Sequence, residues 1–426
     1  MPLPTAWFDF FLFGTFNQDS GRHHMPHQTV DSRILSASLR PQEGSDESSE
    51  ILRIAIIAES FLPAINGVTN SVLRVAENMR SRGHHVEIIA AGPTVESYLD
   101  IRVHAIPSVA VPLYSELRVG FSRKATLEAL KSIQPDVVHI ASPTVLGAIG
   151  LSCAVELNLS SVAIYQTDLA GFSDRYHLGL ARRGIWRHLS STHRKASLTL
   201  APSTDSVWAL RQHGVDNVVR WMRGVDVNRF NPVYRSEELR ARLAPNGEMI
   251  IGYVGRLARE KRVELLRPIT EIPGVKVVVV GDGPQKKSLQ RQLPNALFVG
   301  FQGGDELSRY YASLDVFVHT GTNETFCQSV QEALSSGVPV IAPANGGPLD
   351  LVQHGVNGYL WTESTPGSLK GAVEELVKYP VKLERMASHS RTSVEHRTWT
   401  SVMDELEGHY KSVIGGLSFA YRELSA

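Results

Sequence analysis

"ILRIAIIAESFLPAINGVTNSVLRVAENMRSRGHHVEIIAA" (residues 51–91) decides the fold. Its first eight residues are apolar except for Arg53, the composition of a parallel strand covered by helices on both faces. Val72, Val75, Ala76 and Met79 then recur at helical spacing, and Gly83 closes that pattern before a second apolar run begins at His85. Strand, helix and strand in this order form a βαβ unit. Further runs at 136–140, 161–167 and 198–203 extend the sheet, with a helix expected over 144–157. The same grammar restarts at "MIIGYVG" (249–255) and continues through 275–283, 296–300, 315–320 and 338–343.

The expected fold class is therefore α/β, with two doubly wound, Rossmann-like halves facing across a cleft. "RGVDVNRFNPV" (223–233), polar and punctuated by Gly and Pro, suits the connection between them. In "TSVMDELEGHYKSVI" (400–414), Val402, Leu406, Tyr410 and Val413 share one helical face, so a closing helix is expected to return to the first half. The expected division is a disordered extension over 1–50, a first Rossmann-like domain over 51–222, a second over 223–395, and a returning helical segment over 396–426.

Residues 1–50 are polar and unpatterned, with seven Asp/Glu against three Lys/Arg, which is why they are read as disordered. The whole chain of 426 residues balances 43 Lys and Arg against 43 Asp and Glu, so no global field attracts nucleic acid and none is expected as a partner. Two cysteines far apart in sequence, Cys153 and Cys327, read as reduced thiols of a cytoplasmic protein. No apolar run is long enough to span a bilayer.

"NETFCQSVQEALSSGVPVIAP" (323–343) sets Glu324 and Glu332 eight positions apart. Eight helical residues rise about 12 Å and turn about 80° beyond two full turns, so two such carboxylates cannot share one small atom. A glycosidase pair flanks one bond at roughly 5 to 9.5 Å and is disfavoured. Two contacts along one long ligand fit better, with two solvated glutamates as the plain alternative. If a helix begins near Cys327, its N-terminal N–H groups can meet a phosphate. Arg256 and Lys261, just beyond the strand ending at Gly255, form a fork and a point charge suited to a diphosphate, or else an ordinary basic loop. Gly283, in "GDGP", permits close backbone approach to a base or ribose, and Gly67 precedes a helix where N–H groups can meet anionic oxygens. The chain contains no Asp-x-Asp, so no metal-diphosphate clamp, metal or cofactor is expected.

"GRLAREK" followed by "ETFCQSVQEALSSGVPVI" resembles the E-x7-E signature of the retaining GT-B glycosyltransferases of family 4, and the resemblance covers residues 51–426. "AESFLPAINGVTNSVLRV", "YQTDLAGFSDRY" and "RGVDVNRF" look most like GDP-mannose-dependent α-mannosyltransferases of actinobacterial glycolipid synthesis, with plant-type sulfoquinovosyltransferases also similar. The resemblance implies that Glu324 holds donor-sugar hydroxyls, Glu332 the nucleotide ribose, and Arg256 and Lys261 the diphosphate. Gly67, Gly283, Thr325, Phe326, Cys327 and Gln328 would complete the donor site. Many relatives carry a His where this chain has Gln166, so Gln166 or Asp168 would orient the sugar and the incoming hydroxyl. Alternatives within the same fold are a UDP-sugar donor for glucosyl or sulfoquinovosyl transfer, a nucleotide-sugar epimerase, and a non-catalytic sugar-nucleotide binder.

The acceptor is expected to be a lipid-linked or glycolipid hydroxyl. Between Arg175 and Lys195 there are six Lys/Arg and no Asp/Glu, with apolar residues interleaved. Arg182, Arg183, Trp186 and Arg187 there, with Arg123 and Lys124 in the preceding basic stretch, are expected to rest on anionic headgroups at the inner face of the membrane.

Overall fold

The computed structural model describes residues 51–64, 66–111, 114–166, 179–365 and 367–416. In the first half lie β1 (Arg53–Ala58), β2 (His85–Ala91), β3 (Ser97–Tyr98), β4 (Ile101–Ile106), β5 (Ser108–Val111), β6 (Tyr114–Gly120), β7 (Val137–Ile140), β8 (Ser160–Ile164), β9 (Leu198–Ala201) and β10 (Val218–Arg220). Eight of these build one sheet in the order β10-β9-β8-β7-β1-β2-β4-β3, and β5 and β6 pair as a separate antiparallel hairpin. The second half holds β11 (Met249–Val254), β12 (Val275–Val280), β13 (Leu297–Gly300), β14 (Val316–Val318), β15 (Val340–Pro343) and β16 (Gly358–Trp361). Their order is β13-β12-β11-β14-β15-β16, with every pairing parallel.

Strand order reverses between β1 and β7 in the first sheet and between β11 and β14 in the second. Ligands of open α/β sheets bind outside the carboxyl ends at such reversals. The apolar runs overshoot the strands there. The run at 161–167 leaves its strand at Ile164, so Tyr165 and Gln166 turn out of the sheet.

Helix Gly67–Ser81 begins where Asn66 Oδ1 accepts from the N–H groups of Val68 and Thr69, each at 3.0 Å. Val72, Val75, Ala76 and Met79 are buried, as their spacing predicts, and the backbone at Gly83 turns left-handed with φ +90°. The closing helix Trp399–Ile414 buries Val402, Leu406, Tyr410 and Val413 in one core with Ile54, Ile56, Val137 and Val162 of the first sheet. Polar ties fix its register: Tyr410 Oη lies 2.7 Å from His139 Nδ1, and Trp221 Nε1 donates to the Val402 carbonyl at 3.1 Å. Burial lowers the His139 pKa to about 3 and keeps the ring neutral.

The chain crosses between the halves twice, side by side. Val225 forms an isolated parallel bridge to Thr398, and Val225 N–H donates to the Arg397 carbonyl at 2.9 Å. A Cβ on Gly224 would stand 2.8 Å from Trp399 Cα, so this crossing requires glycine.

Candidate active site

The ends of β11, β12 and β13 are stitched together through backbone. Gly255 N–H donates to Val280 O, Gly281 N–H to Gly300 O, and Leu257 N–H to Asp282 O, at 3.0, 2.8 and 2.9 Å. A Cβ on Gly281 would lie 1.9 Å from Gly255 O, and one on Gly283 would lie 2.4 Å from Leu257 O. Within the protein, the close neighbour that Gly283 admits is the Leu257 backbone. Its glycine shapes the loop that presents Arg256, whose side chain is exposed and takes no ion-pair partner among the described residues.

Lys261 does not stand free beside Arg256. Its ammonium is ion-paired with Glu324 Oε1, so the residues assigned separately to phosphate and sugar hold each other. His319, at the end of β14, adds its Nε2 at 3.3 Å from the same carboxylate oxygen. Burial alone would raise the Glu324 pKa, but the His319 ring and the Lys261 ammonium overcome it and hold it at about 2. Burial alone would lower the His319 pKa, but the Cys327 sulfur and the Glu324 carboxylate outweigh it and raise it to about 9. The ring stacks on Tyr253, with centroids 6.5 Å apart and planes 11° off parallel. His319 is a site residue that the sequence reading passed over, although it closes the apolar run "DVFVHT" at a strand's carboxyl end.

His319, Glu324 and Cys327 offer ligand atoms within 4.8 Å of one another, the group among the described residues that could hold a metal ion. A cation there would have to displace Lys261 from the shared carboxylate.

The loop carrying Glu324 is clamped from β15's carboxyl end. Gly347 N–H donates to Glu324 O at 2.8 Å, and Asn345 Nδ2 donates to Thr322 O. The loop ends at Cys327, which caps helix Gln328–Ser335 with φ +81° and ψ +73°, a left-handed conformation. That geometry costs a non-glycine residue about 1–2 kcal/mol, similar to what a buried small apolar side chain contributes. Cys327→Gly is therefore expected to leave the melting temperature within a few degrees of wild type, whereas β-branched Cys327→Val should lower it clearly; thermal denaturation of the pair checks this.

Phe326 is buried in the second core, so its ring does not face the cleft. Thr325 Oγ1 donates across it to the Gln166 carbonyl at 3.3 Å, and Gln328 Nε2 donates to Gly224 O at 3.0 Å. These two tie the Glu324 loop and its helix to the first half and to the linker.

Glu332 has a separate set of partners. Tyr311 Oη donates to its Oε2 at 3.0 Å, and burial raises its pKa to about 7 against the opposing effects of Tyr311 and Arg229. The folded pKa lies above the ordinary 4.5, so this group's contribution to stability is full below pH 4.5 and is lost as pH rises through about 7. Melting curves of wild type and Glu332→Gln between pH 4 and about 8 should diverge, with the variant spared the loss.

From the first half, Gly67 opens its helix at the end of β1's loop, and a Cβ built on it would meet nothing within 4 Å. The protein's own packing therefore does not demand a glycine there. Gln166 uses its side chain inside the protein: Nε2 donates to Ala141 O, and Oε1 accepts from Arg223 Nη2 at 2.8 Å. Asp168 lies outside the described residues.

The basic stretch is reorganised by packing. Trp186, expected at the membrane, is 8% exposed and stacks on His213 with centroids 3.7 Å apart, because helix Gly179–His193 turns it into a core with Tyr165 and Leu210. Arg183 and Arg187, one turn apart on that helix, remain exposed, while the Arg182 side chain lies outside the described residues. Arg123 is ion-paired with Glu156, and Lys124 is exposed.

Two Rossmann-like sheets, with cations and a carboxylate at the second reversal point, offer a site suited to an anionic ligand. Residues 65–229 match the family described as Glycosyltransferase Family 4, and residues 235–393 match Glycosyl transferases group 1. The chain belongs to this glycosyltransferase family. It is 46% identical over 371 residues to a GDP-mannose-dependent alpha-mannosyltransferase of Mycolicibacterium smegmatis, covering 85% of this chain and 98% of that protein. It is 32% identical to sulfoquinovosyl transferase SQD2 of Arabidopsis thaliana, covering 84% of this chain and 72% of that protein. The structure of Anabaena HepE in complex with UDP superposes with a TM-score of 0.69 at 20% identity, covering 85% of this chain and all of that one, a likeness of GT-B fold.

Proposed function

We propose that this chain transfers mannose from GDP-mannose, with retention of configuration, to a hydroxyl of a lipid-linked or glycolipid acceptor. The observation that carries the donor is the 46% identity to a GDP-mannose-dependent enzyme across nearly the whole of both chains. The geometry is consistent with it. Arg256 stands exposed at the end of β11, and Lys261 can move from Glu324 onto a diphosphate as Glu324 takes the sugar hydroxyls. The sugar C1–O bond breaks with its electron pair going to the β-phosphate oxygen. The acceptor oxygen bonds to C1, and its proton passes to the diphosphate. Gln166 cannot act as a general base, which suits a reaction in which the leaving group takes that proton.

A UDP-sugar donor is the second reading, favoured by the 32% likeness to a sulfoquinovosyl transferase. No helix among the described residues is long and apolar enough to cross a membrane. Peripheral contact on the inner face is the reading for the acceptor side, supported by exposed Arg183, Arg187 and Lys124 and by Phe121, 48% exposed. Thermal-shift titration with GDP, UDP and ADP tests the donor, since a ligand at 100 times its Kd adds about 2.7 kcal/mol of stability. A shift with GDP alone is expected, and a shift confined to UDP overturns mannose.

A further inference from the structure

Arg223, the first residue of the linker, carries a positive charge whose side-chain partner is neutral. Its Nη2 donates to Gln166 Oε1 at 2.8 Å, and among the described residues no carboxylate pairs with it. Burial lowers its pKa, but a guanidinium starts so high that it remains charged. The side chain is half-buried at the junction of the two halves, and no acid among the described residues offsets its charge. One of its five donors is committed to Gln166, which leaves the rest of the fork available to an anion.

Four contacts place that charge. Gln166 follows β8, and its Nε2 reaches Ala141 O at the end of β7. Its backbone carbonyl accepts from Thr325 Oγ1 at 3.3 Å. On the other side, the Arg223 carbonyl accepts from Gln331 Nε2 and the Gly224 carbonyl from Gln328 Nε2, both at 3.0 Å. Arg223 therefore stands between the carboxyl ends of β7 and β8 and the first turn of the helix that follows the Glu324 loop. It lies at the junction of the two halves.

We propose that Arg223 binds an oxyanion of the donor's leaving diphosphate, from the linker side of the cleft, as a third cation beside Arg256 and Lys261. This rests on the nucleotide-sugar reading above. As the C1–O bond breaks, negative charge gathers on the β-phosphate, and a fixed guanidinium favours that state over the intact donor. The neutral Gln166 carboxamide holds the fork in place without spending its charge; a carboxylate at the same position would form an ion pair and quench it.

Calorimetric binding of GDP and GMP to the full chain tests this in wild type, Arg223→Gln and Gln166→Glu. Losing a charge-assisted hydrogen bond should weaken GDP binding about ten-fold or more in Arg223→Gln. GMP, which lacks the β-phosphate, should be weakened far less. Gln166→Glu should reproduce the GDP defect with the arginine still present, which covers the case of Arg223→Gln failing to fold. Unchanged GDP affinity in both variants, or equal losses for GDP and GMP, would overturn the proposal in favour of a purely structural linker arginine. If wild type itself binds no GDP, the donor reading fails first and this assignment falls with it.

Discussion

Glu324→Gln should lower kcat/KM for the donor about 100- to 10,000-fold. If the carboxylate holds two sugar hydroxyls, two charge-assisted hydrogen bonds are lost, each about 1.5–3 kcal/mol, and together they give that range. The change also removes the charge that holds the Lys261 ammonium in the ligand-free enzyme. Lys261 then reaches the diphosphate without first breaking a pair, so GDP binding should be retained or improved while turnover collapses. Steady-state kinetics alongside GDP calorimetry separates the two effects. Parallel losses in both would return Glu324 to a structural role. The acid side offers an independent reading. The Glu324 pKa is held at about 2, below its ordinary 4.5, so its stabilisation is present above pH 4.5 and lost as pH falls toward 2. The variant should lack that loss.

Gly347→Ala should be nearly as damaging without removing any functional group. A Cβ there would lie 2.0 Å from Phe326 O and 2.3 Å from Phe326 C and Cα, backbone atoms with no rotamer to yield. The loop carrying Glu324 and Thr325 must move by an ångström or more, and displacements of that size cost about 100-fold in rate. Overpacking of this kind also destabilises by about 1–3 kcal/mol. Gly371→Ala is the control. It sits inside helix Ser368–Lys378 with nothing within 4 Å of its Cβ position, and should stabilise by about 0.5–1 kcal/mol. Kinetics and melting of the two variants distinguish a clamped loop from a general intolerance of alanine.

Much of the fold was legible in the sequence, because parallel strands buried on both faces leave unbroken apolar runs and one-sided helices leave a stripe. Val72, Val75, Ala76 and Met79 are buried, and so are Val402, Leu406, Tyr410 and Val413 in the closing helix. Arg256, Lys261 and Glu324 were legible because they follow strand ends. Trp186 was misread, since a tryptophan among arginines carries no sign of which face it takes, and His213, on which it stacks, comes from another helix's end.

The sequence by itself determined two α/β units, their connection, the family and the charged residues of the loops after β11 and β14, because these rest on local periodicity and on residues close together along the chain. Only the tertiary structure decided that Lys261 and Glu324 hold each other, that Gly281 and Gly283 stand against the backbone of Gly255 and Leu257, and that Gly347 grips the Glu324 loop. It alone brought Arg223 to Gln166, 57 positions earlier, with no acid among the described residues to neutralise it. The physical reason is the same in each case. Close approach and desolvation depend on residues that meet only when separate strand ends converge, and no local pattern records which neighbour a side chain will find.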